Sequence, residues 1–215
     1  MGIVHNVHNH PNSGEVESIL SQYVPTYVLS FLTDEGAKIV PLPEGVTYAR
    51  ASTAIRRLAV GVDAWPVPPA GLFVVEERTV YLRTVSSMTV VHELGHALDC
   101  VLGAGVYRSS VDPVIRRAFE SATQFVTPYA ASSLDEFFAE SWRAYLGAND
   151  PHSLWPPVTR ARLEACAPTM YTLFEGIDVD LKRRPTRQVT HSPETAPRRA
   201  VEAIGRDAPT RGRGR

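Results

Sequence analysis

Two histidines four residues apart, His92 and His96, enclose Glu93-Leu94-Gly95, and their neighbours Val90, Val91, Ala97 and Leu98 are apolar. In a helix that spacing puts the two imidazoles about 40° apart around the axis and one turn apart along it, so both reach one cation from one face. Glu93 lies about 60° round from His96, beside such an ion rather than on it. A carboxylate there can take a proton from metal-bound water. The bland alternative is a buried helix with two satisfied histidines. Three polar groups gathered on an apolar helix are costly to bury without a use, which favours the metal.

The pattern is the His-Glu-x-x-His helix motif of zinc peptidases, in which the Glu is the general base. A catalytic zinc needs a third protein ligand and an open position. A histidine six residues beyond His96 is excluded, because Leu102 stands there. Asp99, three residues past His96, is better placed to support a ligand than to be one. The acidic candidates downstream include Glu120, Asp135, Glu136 and Glu140. Glu136 and Glu140 repeat the four-residue spacing, so one can ligate while the other hydrogen-bonds a ligand histidine and fixes its tautomer. The competing reading makes them solvent-facing charges, or makes Glu136 a capping-box partner of Ser133.

The elements that must position these residues follow from pattern. Thr26–Leu32 and Ala37–Val40 are β-branched and aromatic, which predicts short strands. Apolar residues at helical spacing predict a helix over 49–60, and the prolines of 66–69 a loop. Leu72–Val75 and Thr79–Arg83 read as a hairpin through Glu76-Glu77-Arg78. Helices then dominate. One spans Met88–Val101; another starts at Asp112-Pro113 and buries Ile115, Ala118, Phe119, Ala122 and Phe125 or Val126. A third is capped by Ser132 or Ser133 and ends at Gly147, and a last region, Thr159–Glu175, is interrupted at Pro168.

Val91-His92-Glu93-Leu94-Gly95-His96-Ala97-Leu98-Asp99, followed by Tyr129 and by Glu136-Phe137-Phe138-Ala139-Glu140-Ser141-Trp142-Arg143, resembles the catalytic domain of anthrax lethal factor and the bacterial Pro-Pro endopeptidases. The resemblance covers about residues 89 to 177. It implies a zincin-like α+β fold, with a small N-terminal β-sheet region and helices followed by a mainly helical C-terminal part. It also implies Zn2+ on His92, His96 and Glu136, catalysis by Glu93 with Tyr129 assisting the tetrahedral intermediate, and support of the site by Glu140. The resemblance is not expected to extend to lethal factor's receptor-binding domain or to the secretion signal of the Pro-Pro endopeptidases.

Composition bounds the rest. The 215 residues are 44% hydrophobic and 21% charged, ordinary for a globular domain. The net charge of −1 hides an acidic body at −8 and a basic segment from Lys182 onward at +7. We therefore expect a flexible lead-in over residues 1–14, one metallopeptidase domain over 15–182 and a disordered basic tail over 183–215. His5, His8 and His10 at the lead-in are read as part of a mobile terminus rather than a metal site. Cys100 and Cys166 are expected to be free, buried thiols. The tail's arginines are scattered without aromatic interleaving, which argues against a nucleic-acid partner. No Sec signal, myristoylation site or membrane-length apolar run is evident, so the chain is expected in the cytoplasm, or exported without a Sec signal. The expected activity is that of a monomeric zinc endopeptidase on protein or peptide substrates. The alternatives are a regulatory metallopeptidase that cleaves a repressor, or a zinc-binding toxin or scaffold module without turnover.

Overall fold

The computed structural model describes residues 2–4, 12–58, 61–153 and 155–184. Its N-terminal part opens with α1 (Ser13–Tyr23), which buries Val16, Ile19 and Leu20 at helical spacing, and α2 (Thr26–Asp34), which buries Val28, Phe31 and Leu32. The strand expected at Thr26–Leu32 is thus a helix. Its β-branched and aromatic composition is outweighed by an i, i+3, i+4 apolar stripe that packs into the core. Ser13 and Gly14, within the expected lead-in, already lie in α1, and Val4 bridges Ile39 in parallel. His5, His8 and His10 lie outside the described residues.

Strand β1 (Lys38–Pro41) leads to two short helices, α3 (Tyr48–Ala51) and α4 (Thr53–Leu58), in place of the single helix expected over 49–60. The break is at Ser52, whose backbone is extended and whose hydroxyl accepts from the Ile55 amide at 3.0 Å, capping α4. Residues 59 and 60 lie outside the described set. Strands β2 (Gly71–Val74) and β3 (Thr79–Leu82) form the expected hairpin, its turn closed by Arg78 in the left-handed region at φ 47°. The sheet order is β1-β3-β2, with β1 parallel and β2 antiparallel to the central strand.

The helical part follows: α5 (Ser87–Leu102), α6 (Arg108–Val111), α7 (Pro113–Glu120), α8 (Leu134–Leu146), α9 (Arg160–Cys166) and α10 (Pro168–Arg183). Local signals set most of these ends. Ser86 caps α5, Asp112 accepts from the Val114 amide ahead of α7 with Pro113 inside its first turn, and Ser133 caps α8. Gly147, at φ 68°, closes α8 in the left-handed conformation. Helix α7 is shorter than the pattern suggested. It buries only Ile115, and beyond it Phe125 packs against Phe119 and Phe137 with ring centroids 5.5 and 5.6 Å apart.

Cys100 and Cys166 are free, Cys100 buried and Cys166 half-buried. Lys182 and Arg183 complete α10 and Arg184 pairs with Glu35; the tail from 185 onward lies outside the described residues. Among the described residues, no helix is long and apolar enough to cross a membrane.

Helix α5 carries the histidine motif against the sheet on one side and α8 on the other, and it meets α8 backbone at Gly95. A Cβ at residue 95 would lie 2.9 Å from Ala139 Cα, so any side chain there must push backbone aside. Gly95→Val is therefore expected to destabilise the fold by roughly 2 kcal/mol or more. Urea unfolding measures this, and an unchanged midpoint would show that the two helices do not meet there.

Candidate metal centre and catalytic cleft

Helix geometry alone brings His92 and His96 together; their Nε2 atoms lie 3.2 Å apart and their rings meet edge-on. Helix α8 supplies the third group. Glu136 Oε2 lies 3.1 Å from His92 Nε2 and 3.4 Å from His96 Nε2. A tetrahedral ion with bonds of about 2.0–2.1 Å spaces its ligand atoms roughly 3.3 Å apart, so this triangle has the dimensions of three zinc ligands. Glu136 Oε2 is also buried without a well-aimed hydrogen-bond donor, a state that is costly unless something else meets it. Among the described residues, His92, His96 and Glu136 are the set of His, Cys, Asp and Glu that can close on a metal. The residues present fit a zinc ion on the convergence of their donors.

Glu140, one turn beyond Glu136, holds His92 from behind. Its Oε1 lies 2.9 Å from His92 Nδ1. A carboxylate there keeps the proton on Nδ1 and leaves the Nε2 lone pair for a metal. Glu140 is itself held by the buried Arg143, whose Nε and Nη2 donate to its two oxygens at 2.9 Å each, and by Thr127 Oγ1 at 2.7 Å. Burial would pull the His92 imidazole down, but the close approach of Glu136 and Glu140 outweighs it and raises the group to about 10. Against the same burial, His92 and His96 hold Glu136, and His92 with Arg143 holds Glu140, well below the usual carboxylate range.

Glu93 turns from this triangle toward β2. It is buried, and a Cβ at Gly71 would come within 2.5 Å of Glu93 Cγ, so only glycine leaves room for the carboxylate against the strand. Burial pushes its carboxyl above the ordinary carboxylate range; the two histidines and the Phe73 amide oppose this. Tyr129 stands across the opening, its ring 5.7 Å from that of His92 and its hydroxyl donating to Glu136 Oε1 at 2.8 Å. It is half-exposed, and burial together with that hydrogen bond raises its phenol further. A cleft of about 250 Å³ runs between Tyr129, His92 and Glu93 on one side and Pro69, Ala70 and Gly71 on the other. The Pro69 wall is fixed from below: the Tyr48 hydroxyl donates to Pro69 O at 2.8 Å, and Asp63 accepts from the Tyr48 and Ala49 amides and from Arg83.

The seven residues singled out from sequence separate here. His92, Glu93, His96, Tyr129, Glu136 and Glu140 converge on one site. Asp99 does not join them through a hydrogen bond: its carboxylate accepts from the Ser109 amide and hydroxyl, at 2.8 and 2.5 Å. Its helical position turns it toward the start of α6 rather than toward a ligand histidine. Gly71, Thr127 and Arg143 were not anticipated. Arg143 had one local sign, its i, i+3 spacing from Glu140. Gly71 and Thr127 reach the site only through the tertiary fold.

The three-stranded sheet, the helix that carries the two histidines and α8 make a zincin-like fold of the α+β class. Among solved structures, the Pro-Pro endopeptidase PPEP-2 from Paenibacillus alvei matches with a TM-score of 0.58 at 20% identity, over 81% of this chain and 97% of that one. No protein-family model and no curated protein matches this chain.

Asp99 provides a pH test of the frame. Burial raises its carboxyl from 3.8 to about 6, against the pull of Ser109. The folded state then binds more protons than the unfolded between about pH 4 and 6, so this group's contribution falls as pH rises through that window. Relative to wild type, Asp99→Asn should gain of order 2 kcal/mol on going from pH 4.5 to 7.5, measured by urea unfolding at both values. An equal offset at both would show that Asp99 folds with an ordinary carboxyl.

Proposed function

We propose that the protein is a zinc-dependent endopeptidase that hydrolyses peptide bonds in protein or peptide substrates. The observation that carries this reading is the triangle of His92, His96 and Glu136 at tetrahedral-ligand spacing, with a buried carboxylate and a phenol flanking the same opening. The likeness in fold to a Pro-Pro endopeptidase supports a peptide substrate.

Zinc in that triangle would supply Lewis acidity and lower the pKa of a coordinated water toward neutrality. Glu93 accepts the attacking water's proton and returns it to the leaving amine. The Tyr129 hydroxyl, which rests on Glu136, swings to donate to the oxyanion that develops on the scissile carbonyl. Glu140, clamped by Arg143 and Thr127, holds the His92 tautomer throughout. The β2 side of the cleft and the Pro69–Ala70 wall confine the substrate backbone opposite these groups. A module that only bound zinc would need neither Glu93 nor Tyr129.

Glu93→Ala is expected to retain zinc and lose roughly 10²–10⁴-fold in turnover. Wild-type rates on any substrate would overturn the assignment. Zinc should be near-stoichiometric in the purified protein and absent from the His92→Ala/His96→Ala variant; equal metal content by elemental analysis in the two would place the ion elsewhere. Tyr129→Phe should keep its metal and lose about 10²-fold in kcat; loss of zinc from that variant would make Tyr129 structural. Proteome-wide comparison of new N-termini after treatment with wild type or Glu93→Ala tests the activity against many protein substrates at once.

A further inference from the structure

A second cavity of about 400 Å³ adjoins the cleft. Met88, Pro128, Tyr129 and Trp155 line it over a floor of Glu140 and Arg143. Met88, Tyr129, Glu140 and Arg143 also line the cleft at His92 and Glu93, so the two spaces are neighbours that share these residues. Resting on the endopeptidase reading, we propose that this cavity is the side-chain subsite beside the scissile bond, that Trp155 is its specificity-determining wall, and that it takes a large apolar or aromatic residue of the substrate.

The chemistry of the lining decides the class of side chain. The charges in the floor are already satisfied by one another: Arg143 gives Nε and Nη2 to Glu140 and Nη1 to Ala148 O, and Glu140 also accepts from Thr127. They offer little to an incoming ammonium, guanidinium or carboxylate, which would be stripped of water without a new partner. The walls above are a thioether, a proline ring and two aromatic faces. Tyr129 and Trp155 remain 51% and 54% exposed, so an apolar side chain entering between them removes further apolar area from water.

Trp155 is held where it can serve. The segment that carries it, between α8 and α9, is closed at its base by Asn149, which accepts from the Val158 amide at 2.8 Å and donates to Val158 O and Gly147 O. The Trp155 amide donates to Ser153 Oγ at 3.1 Å. Pro128 sits one residue before Tyr129, so a side chain in the cavity borders the phenol that faces the scissile carbonyl.

Two measurements test this. Cleavage of a peptide library varied at each position around the scissile bond should show, at one flanking position, preference for Phe, Tyr, Leu or Met over Lys, Arg, Asp or Glu. In Trp155→Ala the ratio of kcat/KM for Phe over Ala at that position should fall roughly tenfold, and Trp155→Phe should restore most of it. An unaltered ratio in Trp155→Ala overturns the proposal. The second measurement needs no turnover. In the zinc-loaded protein, the indole N–H resonance that disappears in Trp155→Phe should shift on titration with N-acetyl-phenylalanine amide and not with N-acetyl-lysine amide. A shift in a protein that cleaves nothing would sink the endopeptidase reading and leave only a pocket for an apolar side chain. No differential shift would sink the subsite even in an active peptidase.

Discussion

The whole site depends on how closely α5 and α8 can approach. The three groups of the triangle sit on these two helices, His92 and His96 on one and Glu136 on the other, and atoms 3.1–3.4 Å apart leave little tolerance in the interhelical distance. Gly95 sets that distance by letting Ala139 backbone come where a side chain would stand. A helix interior normally disfavours glycine by about 1 kcal/mol relative to alanine. Here the cost is offset by a contact that no other residue permits. On the opposite side of α5, Gly71 makes the equivalent concession in β2, and Glu93 fills the space.

A second constraint is electrostatic. Glu140 and Arg143 are almost wholly withdrawn from water, and a buried ion pair gains little net stability when each charge must be desolvated. Its value lies in direction. The guanidinium fork fixes both carboxylate oxygens, Thr127 occupies a further lone pair, and the remaining acceptor points at His92 Nδ1. The ring of His92 is thereby held at one angle and in one tautomer.

Much of this is legible in the sequence, and the reason differs from residue to residue. The start of α7 and both ends of α8 follow from local chemistry, with Asp112, Pro113, Ser133 and Gly147 each acting on backbone within a few positions. The histidine motif is equally local, because one helix face carries both imidazoles. Glu136 and Glu140 share the right spacing, but only the packing of α8 on α5 assigns one to the triangle and the other to His92 Nδ1. Helix α2 is hidden by its valine, threonine and aromatic content, whose strand preference yields once Val28, Phe31 and Leu32 are buried together. Asp99 lies three residues past His96 on the same helix, yet its carboxylate hydrogen-bonds Ser109, ten residues on, which spacing within α5 does not foretell.

The Asn149 clamp carries a consequence for how such a protein changes over time. Its side chain joins the two ends of the 149–158 segment to each other, so the backbone between them can lengthen or be replaced at small entropic expense. Trp155 rides on that stretch, whereas His92, His96 and Glu136 belong to two helices in close contact at Gly95. On the proposed reading, substrate preference and hydrolytic chemistry would then sit on separable parts of the chain, so that the first could change without disturbing the second.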